Sequence, residues 1–208
     1  MRYIEPKQRI REILAHPELG KSIILHGWIR TRRDSKTGFS FLEINDGSSL
    51  AGMQVVAESS LPNYESEIKR LVTGCSVRIE GILRESPGKE QAVETQATHI
   101  DVIGWVDDPD TYPLQKKRHT MEYMREVAHL RPRSNTFGAI ARVRNHLAAA
   151  THDFFQSRGF LYIHTPIITA SDCEGAGEMF TVTTLDPADL PRLPDGSVDY
   201  AKDFFVVN

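Results

Sequence analysis

Cysteine is scarce in this sequence: Cys75 and Cys173 are the only two in 208 residues. Neither sits at C-x-x-C spacing, so neither a structural zinc site nor a disulfide framework is indicated, and a reducing compartment is favoured. Long apolar runs are missing too, and the first ten residues are charged and interrupted by Pro6. That excludes a helical membrane span and a secretory signal, so the expectation is a cytoplasmic protein with no membrane partner. Positive charge is not in excess, since 25 Lys and Arg face 28 Asp and Glu for a net charge of -3. A bulk polyanion binder is therefore excluded, and any nucleic-acid contact has to be a local stripe. The histidines lack ligand spacing: His146 and His152 lie six apart, off a shared helix face, and no metal site is expected.

What is present is an ordinary globular balance, 40% hydrophobic and 25% charged. Ile10, Ile13 and Leu14 give a short helical stripe ended by Pro17 and Gly20. Runs rich in Val, Ile and Phe at 22–30, 39–45, 50–56, 76–83 and 92–103 predict five strands. Between the third and fourth, Ile68 and Leu71 suit one face of a helix over 64–71. Five short strands with a helix in that slot is the order of an OB-fold barrel, closing near Gly104. The charged, proline-bearing stretch 106–134 predicts a hinge and not a packed element.

A second body begins with Asn135 or Thr136 as N-cap, followed by a helical stripe through Ile140, Val143, Leu147, Ala150 and Phe154. Phe137, Ala141, Ala148 and Phe155 add a second apolar line, so this helix needs two partners. Arg158 suits its last turn and Gly159 its end. Then 160–168 predicts a strand whose Pro166 cannot donate to a ladder, placing it at an edge or a break. The fold class expected is α+β: a barrel over 1–105, a hinge over 106–134, and a second domain over 135–208.

The barrel segment "GWIRTRRDSKTGFSFLEINDG" sets Arg30, Arg32, Arg33 and Lys36 beside a strand in which Phe39, Phe41 and Glu43 alternate with Leu42 and Ile44. If Leu42 and Ile44 face the core, the two rings face out. Exposed Phe beside Arg is equipment for an unstacked base; the alternative is packing at the barrel rim. Lys116, Lys117 and Arg118 could meet phosphates or remain solvated linker charge.

Two stretches carry a resemblance to a known family. "RGFLYIHTPII" resembles motif 1 of the class II aminoacyl-tRNA synthetases, a long helix, strand and proline at a dimer interface. "SDCEGAGEMF" is similar to the acidic loop that follows it in the aspartyl, asparaginyl and lysyl subgroup, and with "HLRPRSNTF" the wording is most like the asparaginyl members. The resemblance implies an N-terminal OB-fold for the anticodon and the start of an antiparallel-sheet catalytic domain. It implies asparagine, ATP with Mg²⁺, and tRNA(Asn) as partners, and a homodimer formed through Phe160 and Pro166. Glu174 is implied to pair with the ammonium of the amino acid, Phe41 to stack on the middle anticodon base, and Arg33 to meet the anticodon backbone or a base edge. Gln54 and Glu94 are implied hydrogen-bonding partners of anticodon bases. The family's F-R-x-E and glycine-rich arginine motifs do not occur in the sequence, so no catalytic residue is assigned and the chain is expected to be an N-terminal piece, inactive alone. Two further readings stay open, a stand-alone anticodon-binding module that dimerises and an aspartate-specific relative.

Overall fold

A computed structural model describes residues 8–88, 91–168 and 182–203. The chain divides into two compact units, residues 1–149 and 150–208. The first opens with α1 (Ile10–Ala15), whose Ile10 and Ile13 are buried and whose first amides are met by a turn near residues 46–48: Ile10 N donates to Asp46 Oδ2 at 2.9 Å and Arg11 N to Ser48 Oγ at 3.0 Å. These bonds satisfy two of the amides a helix start leaves without partners.

Five strands follow: β1 (Ser22–Asp34), β2 (Phe39–Asn45), β3 (Met53–Glu58), β4 (Ser76–Glu85) and β5 (Val93–Gly104). They close in the order β1-β2-β3-β5-β4, antiparallel except where β3 meets β5 in parallel through Val55–Thr95 and Val56–Gln96. Alternation lines the interior: Leu42, Ile44, Met53, Val55, Ile79, Leu83 and Ile100 are buried, while their strand neighbours, apart from Asn45, are less so. The predicted strands are all present, with the third running later than 50–56. Leu50 and Ala51, expected in that strand, instead belong to a braced turn, in which Asn45 Nδ2 donates to Ser49 O at 3.2 Å and Gly47 N to Asn45 Oδ1 at 2.8 Å.

The predicted 64–71 helix is corrected to a single 3₁₀ turn, Ile68–Arg70. Its apolar residues are nonetheless core residues, Tyr64, Ile68 and Leu71 all being buried. A spacing of three or four is met by one turn, and Asn63 diverts the chain by donating from Nδ2 to Ile100 O at 2.8 Å.

Residues 106–134, expected as an unpacked hinge, contain α2 (Met121–Glu126), capped by Thr120, and pack on the barrel. Met124 is buried, and the Tyr112 ring occupies the space beside Gly74, where a Cβ would lie 2.5 Å from it. Gly74 also has φ +99°, so it serves both the turn and the ring. Arg133 stacks on Trp28 at 4.7 Å and donates from Nη1 to Tyr112 Oη at 3.1 Å. The composition signalled a loop, and the aromatic and arginine contacts dock that loop.

The helix α3 (Asn135–Gln156) starts one residue earlier than expected: Ser134 Oγ accepts from Phe137 N at 3.3 Å and acts as the cap. In the second unit Gly159, with φ +84°, ends the helix as expected, and Arg158 Nη1 donates back to Phe154 O at 2.9 Å. The predicted strand 160–168 is corrected: these residues carry no ladder, and Phe160, Leu161, Tyr162, Ile163 and Ile167 are exposed. β-branched and aromatic content favours an extended chain, but a strand exists only when a neighbouring strand takes its amides. Beyond it the described residues hold one isolated antiparallel bridge, Arg192–Val198.

Candidate nucleic-acid interface

The outward residues of β2, β3 and β5 form one continuous face. Phe39, Phe41 and Glu43 stand on β2, Gln54 and Val56 on β3, and Glu94 and Gln96 on β5, all half-buried between buried neighbours. Phe41 lies across from Arg33 on one side and Val56 on the other. The Phe39 and Phe41 rings meet edge to face, centroids 5.0 Å apart at 87°, and the Arg33 guanidinium lies 5.9 Å from the Phe41 centroid. An aromatic edge braces the Phe41 ring, and a cation borders it where a phosphate or base edge would pass.

Gln54 and Glu94, forty residues apart, are brought into direct contact by closure of the barrel: Gln54 Nε2 donates to Glu94 Oε2 at 2.9 Å. Ser86 Oγ donates to the same oxygen at 3.0 Å. Gln54 Oε1 and Glu94 Oε1 accept no hydrogen bond from described residues, so the pair holds two acceptor oxygens in a fixed geometry. Thus Arg33, Phe41, Gln54 and Glu94, picked from sequence, share one surface. Sequence reasoning missed the frame around them. Gln96 Nε2 donates to Glu58 Oε1 at 2.8 Å, Thr31 Oγ1 donates to Glu43 Oε2 at 3.2 Å, and Val56 floors the gap between Phe41 and Gln96. The sequence reading did not single out Val56, Glu58 or Gln96, because nothing local showed that β3 and β5 would pair.

Beside this face a cleft of about 1040 Å³ opens between β1 and the docked connector, lined among others by Trp28, Glu43, Lys116, Lys117, Arg118 and Phe137. The three cations therefore border the same hollow as Glu43. On the far wall of the barrel, Arg78 bridges Glu80 at 2.6 Å and Asp101 at 3.2 Å, and His99 Nε2 lies 2.8 Å from Asp101. The His99 bond, then Arg78, holds the Asp101 carboxyl below its usual range.

Residues 23–103 match the OB-fold nucleic acid binding domain of the tRNA anticodon type, and residues 120–200 match the tRNA synthetases class II (D, K and N). The chain is 59% identical over 187 residues to an asparagine–tRNA ligase of Colwellia psychrerythraea, covering 90% of this chain and 40% of that protein. The chain is a homologue of the class II tRNA synthetases for D, K and N. A second asparagine–tRNA ligase, from Hahella chejuensis, is 55% identical over 188 residues. The chain spans about 40% of the length of these synthetases. In fold it matches the asparaginyl-tRNA synthetase of Pyrococcus horikoshii with a TM-score of 0.68 at 24% identity, covering 78% of this chain and 38% of that one. Within the synthetase segment, Phe160 and Pro166 are described and Glu174 lies outside the described residues.

Proposed function

We propose that this chain is the tRNA-binding part of an asparagine–tRNA ligase, reading the anticodon of tRNA(Asn) with its barrel. The observation that carries this reading is the junction of Gln54 and Glu94 beside Phe41 and Arg33 on one outward face. One aromatic surface, one bordering cation and one oriented amide–carboxylate pair is equipment for unstacked bases and their edges. The whole enzyme would activate asparagine with ATP and then esterify the tRNA.

On this reading the barrel occupies 1–105, the connector 106–134 and the beginning of the catalytic domain 135–208. Glu174 meets the ammonium of asparagine, where a charged partner in a partly dry site is worth more than in water. Phe160 and Pro166 lie at a two-fold contact, an assignment supported by their exposure and by the apolar run they belong to. ATP and Mg²⁺ serve the whole enzyme on this reading, and most of the residues that would bind them are not among those at hand. Among the described residues no three His, Cys, Asp or Glu gather to hold a metal ion, and the arginine motifs that would hold the triphosphate are not in the sequence. No step is derived through them.

The test is equilibrium binding of RNA hairpins. A GUU loop is expected to bind more tightly than the same hairpin with a scrambled loop, and equal binding would overturn the reading.

A further inference from the structure

The β2–β3 turn stands between the base-reading face and α3. Its two flanking strands carry the readers, Phe41 and Glu43 on β2 and Gln54 on β3, and Glu43 pairs with Gln54 across the turn's base. Its interior is braced by Asn45, whose amide bonds Ser49 O and Gly47 N, and by Asp46, whose Oδ1 accepts from Ser48 N at 2.9 Å. Little slack remains between the reading strands and the tip.

The tip is held by the helix. Arg142, two turns into α3, donates from Nη2 to Gly47 O at 2.7 Å and from Nη1 to Gly138 O at 3.0 Å. Gly138 is buried, and a Cβ there would come within 3.3 Å of Leu50 Cδ2, so helix and turn lie in close contact. A second tie runs alongside, Arg30 Nη1 donating to Asn135 Oδ1 at 2.8 Å. A guanidinium holding two carbonyls at once fixes both distance and orientation, which a single bond would not.

We propose that Arg142 is a positioning residue: it latches α3 to the β2–β3 turn, so that the base-reading face and the first turns of the class II helix move as one body. The role rests on the anticodon-reading function proposed above. Its value lies in alignment, since a displacement of about 1 Å far from the chemistry can cost about a hundredfold in rate. Occupation of the reading face is then felt in the helix as reduced opening.

Amide hydrogen exchange on the 208-residue chain, with and without a GUU-loop hairpin, tests this. In the parent, hairpin binding is expected to slow exchange of the amides at 139–148 by at least about threefold. In Arg142→Ala the hairpin is expected to bind with unchanged affinity while that slowing disappears. Arg142→Lys, which keeps a donor for Gly47 but cannot also hold Gly138, is expected to restore part of the response. A parent helix indifferent to bound hairpin, or equal slowing in Arg142→Ala, would overturn the latch and leave the reading function standing. Failure of the parent to bind the hairpin would remove both. Arg142 is not part of the barrel core, so the variants test coupling and not folding.

Discussion

Phe41 is half-buried, held on edge by Phe39 and bordered by Arg33, so the orientation of its ring is fixed, as the proposed stacking on a base requires. Truncating it removes a stacking surface worth about 1 to 3 kcal/mol per base. Phe41→Ala is therefore expected to weaken GUU-hairpin binding roughly five- to 150-fold, with barrel stability little changed, as measured by fluorescence titration. Inside the barrel the reverse situation holds. Thr95 is fully buried with no hydrogen-bond partner for Oγ1 among the described residues, facing the shared interior of β3 and β4. Thr95→Val keeps the shape and removes the orphaned hydroxyl, and is expected to raise stability by about 1 kcal/mol in thermal unfolding. Asp101 supplies the pH dependence. Its carboxyl is held low first by His99 and then by Arg78, so its contribution is present above the ordinary aspartate range and is lost as pH falls through the depressed native value. In acid titrations, the stability difference between the parent and Asp101→Asn should therefore close as pH falls.

At the scale of elements, alternation made the barrel legible, because a half-buried strand repeats every two residues whatever its neighbours do. Phe41 followed from that period, while Gln54 and Glu94 came from the family resemblance alone. Illegible were the features set by distant partners: the parallel β3–β5 pairing that joins Gln54 to Glu94, and the docking of Tyr112 and Arg133 that turns a proline-rich stretch into a packed one. The same rule applied to 160–168, where strand-forming residues remain without a ladder. The connector's docking makes a prediction of its own. Gly74→Ala places a methyl against the Tyr112 ring at a positive φ, and is expected to displace Tyr112 and, through their hydrogen bond, to release Arg133 from Trp28. Trp28 fluorescence should report the release, while hydrogen exchange in β4 and β5 stays slow.

At the scale of the whole molecule, exposed apolar residues concentrate where the second unit leaves its helix, with Leu161 85% and Ile167 91% exposed. Such a run is a binding surface for another chain or a route to aggregation. The dimer assignment expects concentration-dependent association in sedimentation experiments, abolished in Phe160→Asp. A parent that stays monomeric at all concentrations would remove Phe160 from an interface.

The parallel seam between β3 and β5 has a consequence for synthesis. Val55 must wait for Thr95, so the acceptor pair at Gln54 and Glu94 does not exist until the last strand has emerged and the cylinder shuts. A nascent chain carrying only its first three strands would hold Phe41 and Arg33 without the Gln54–Glu94 pair. Under the proposed function, selectivity among anticodons would thus be acquired late, in the single event that also seals the interior from water.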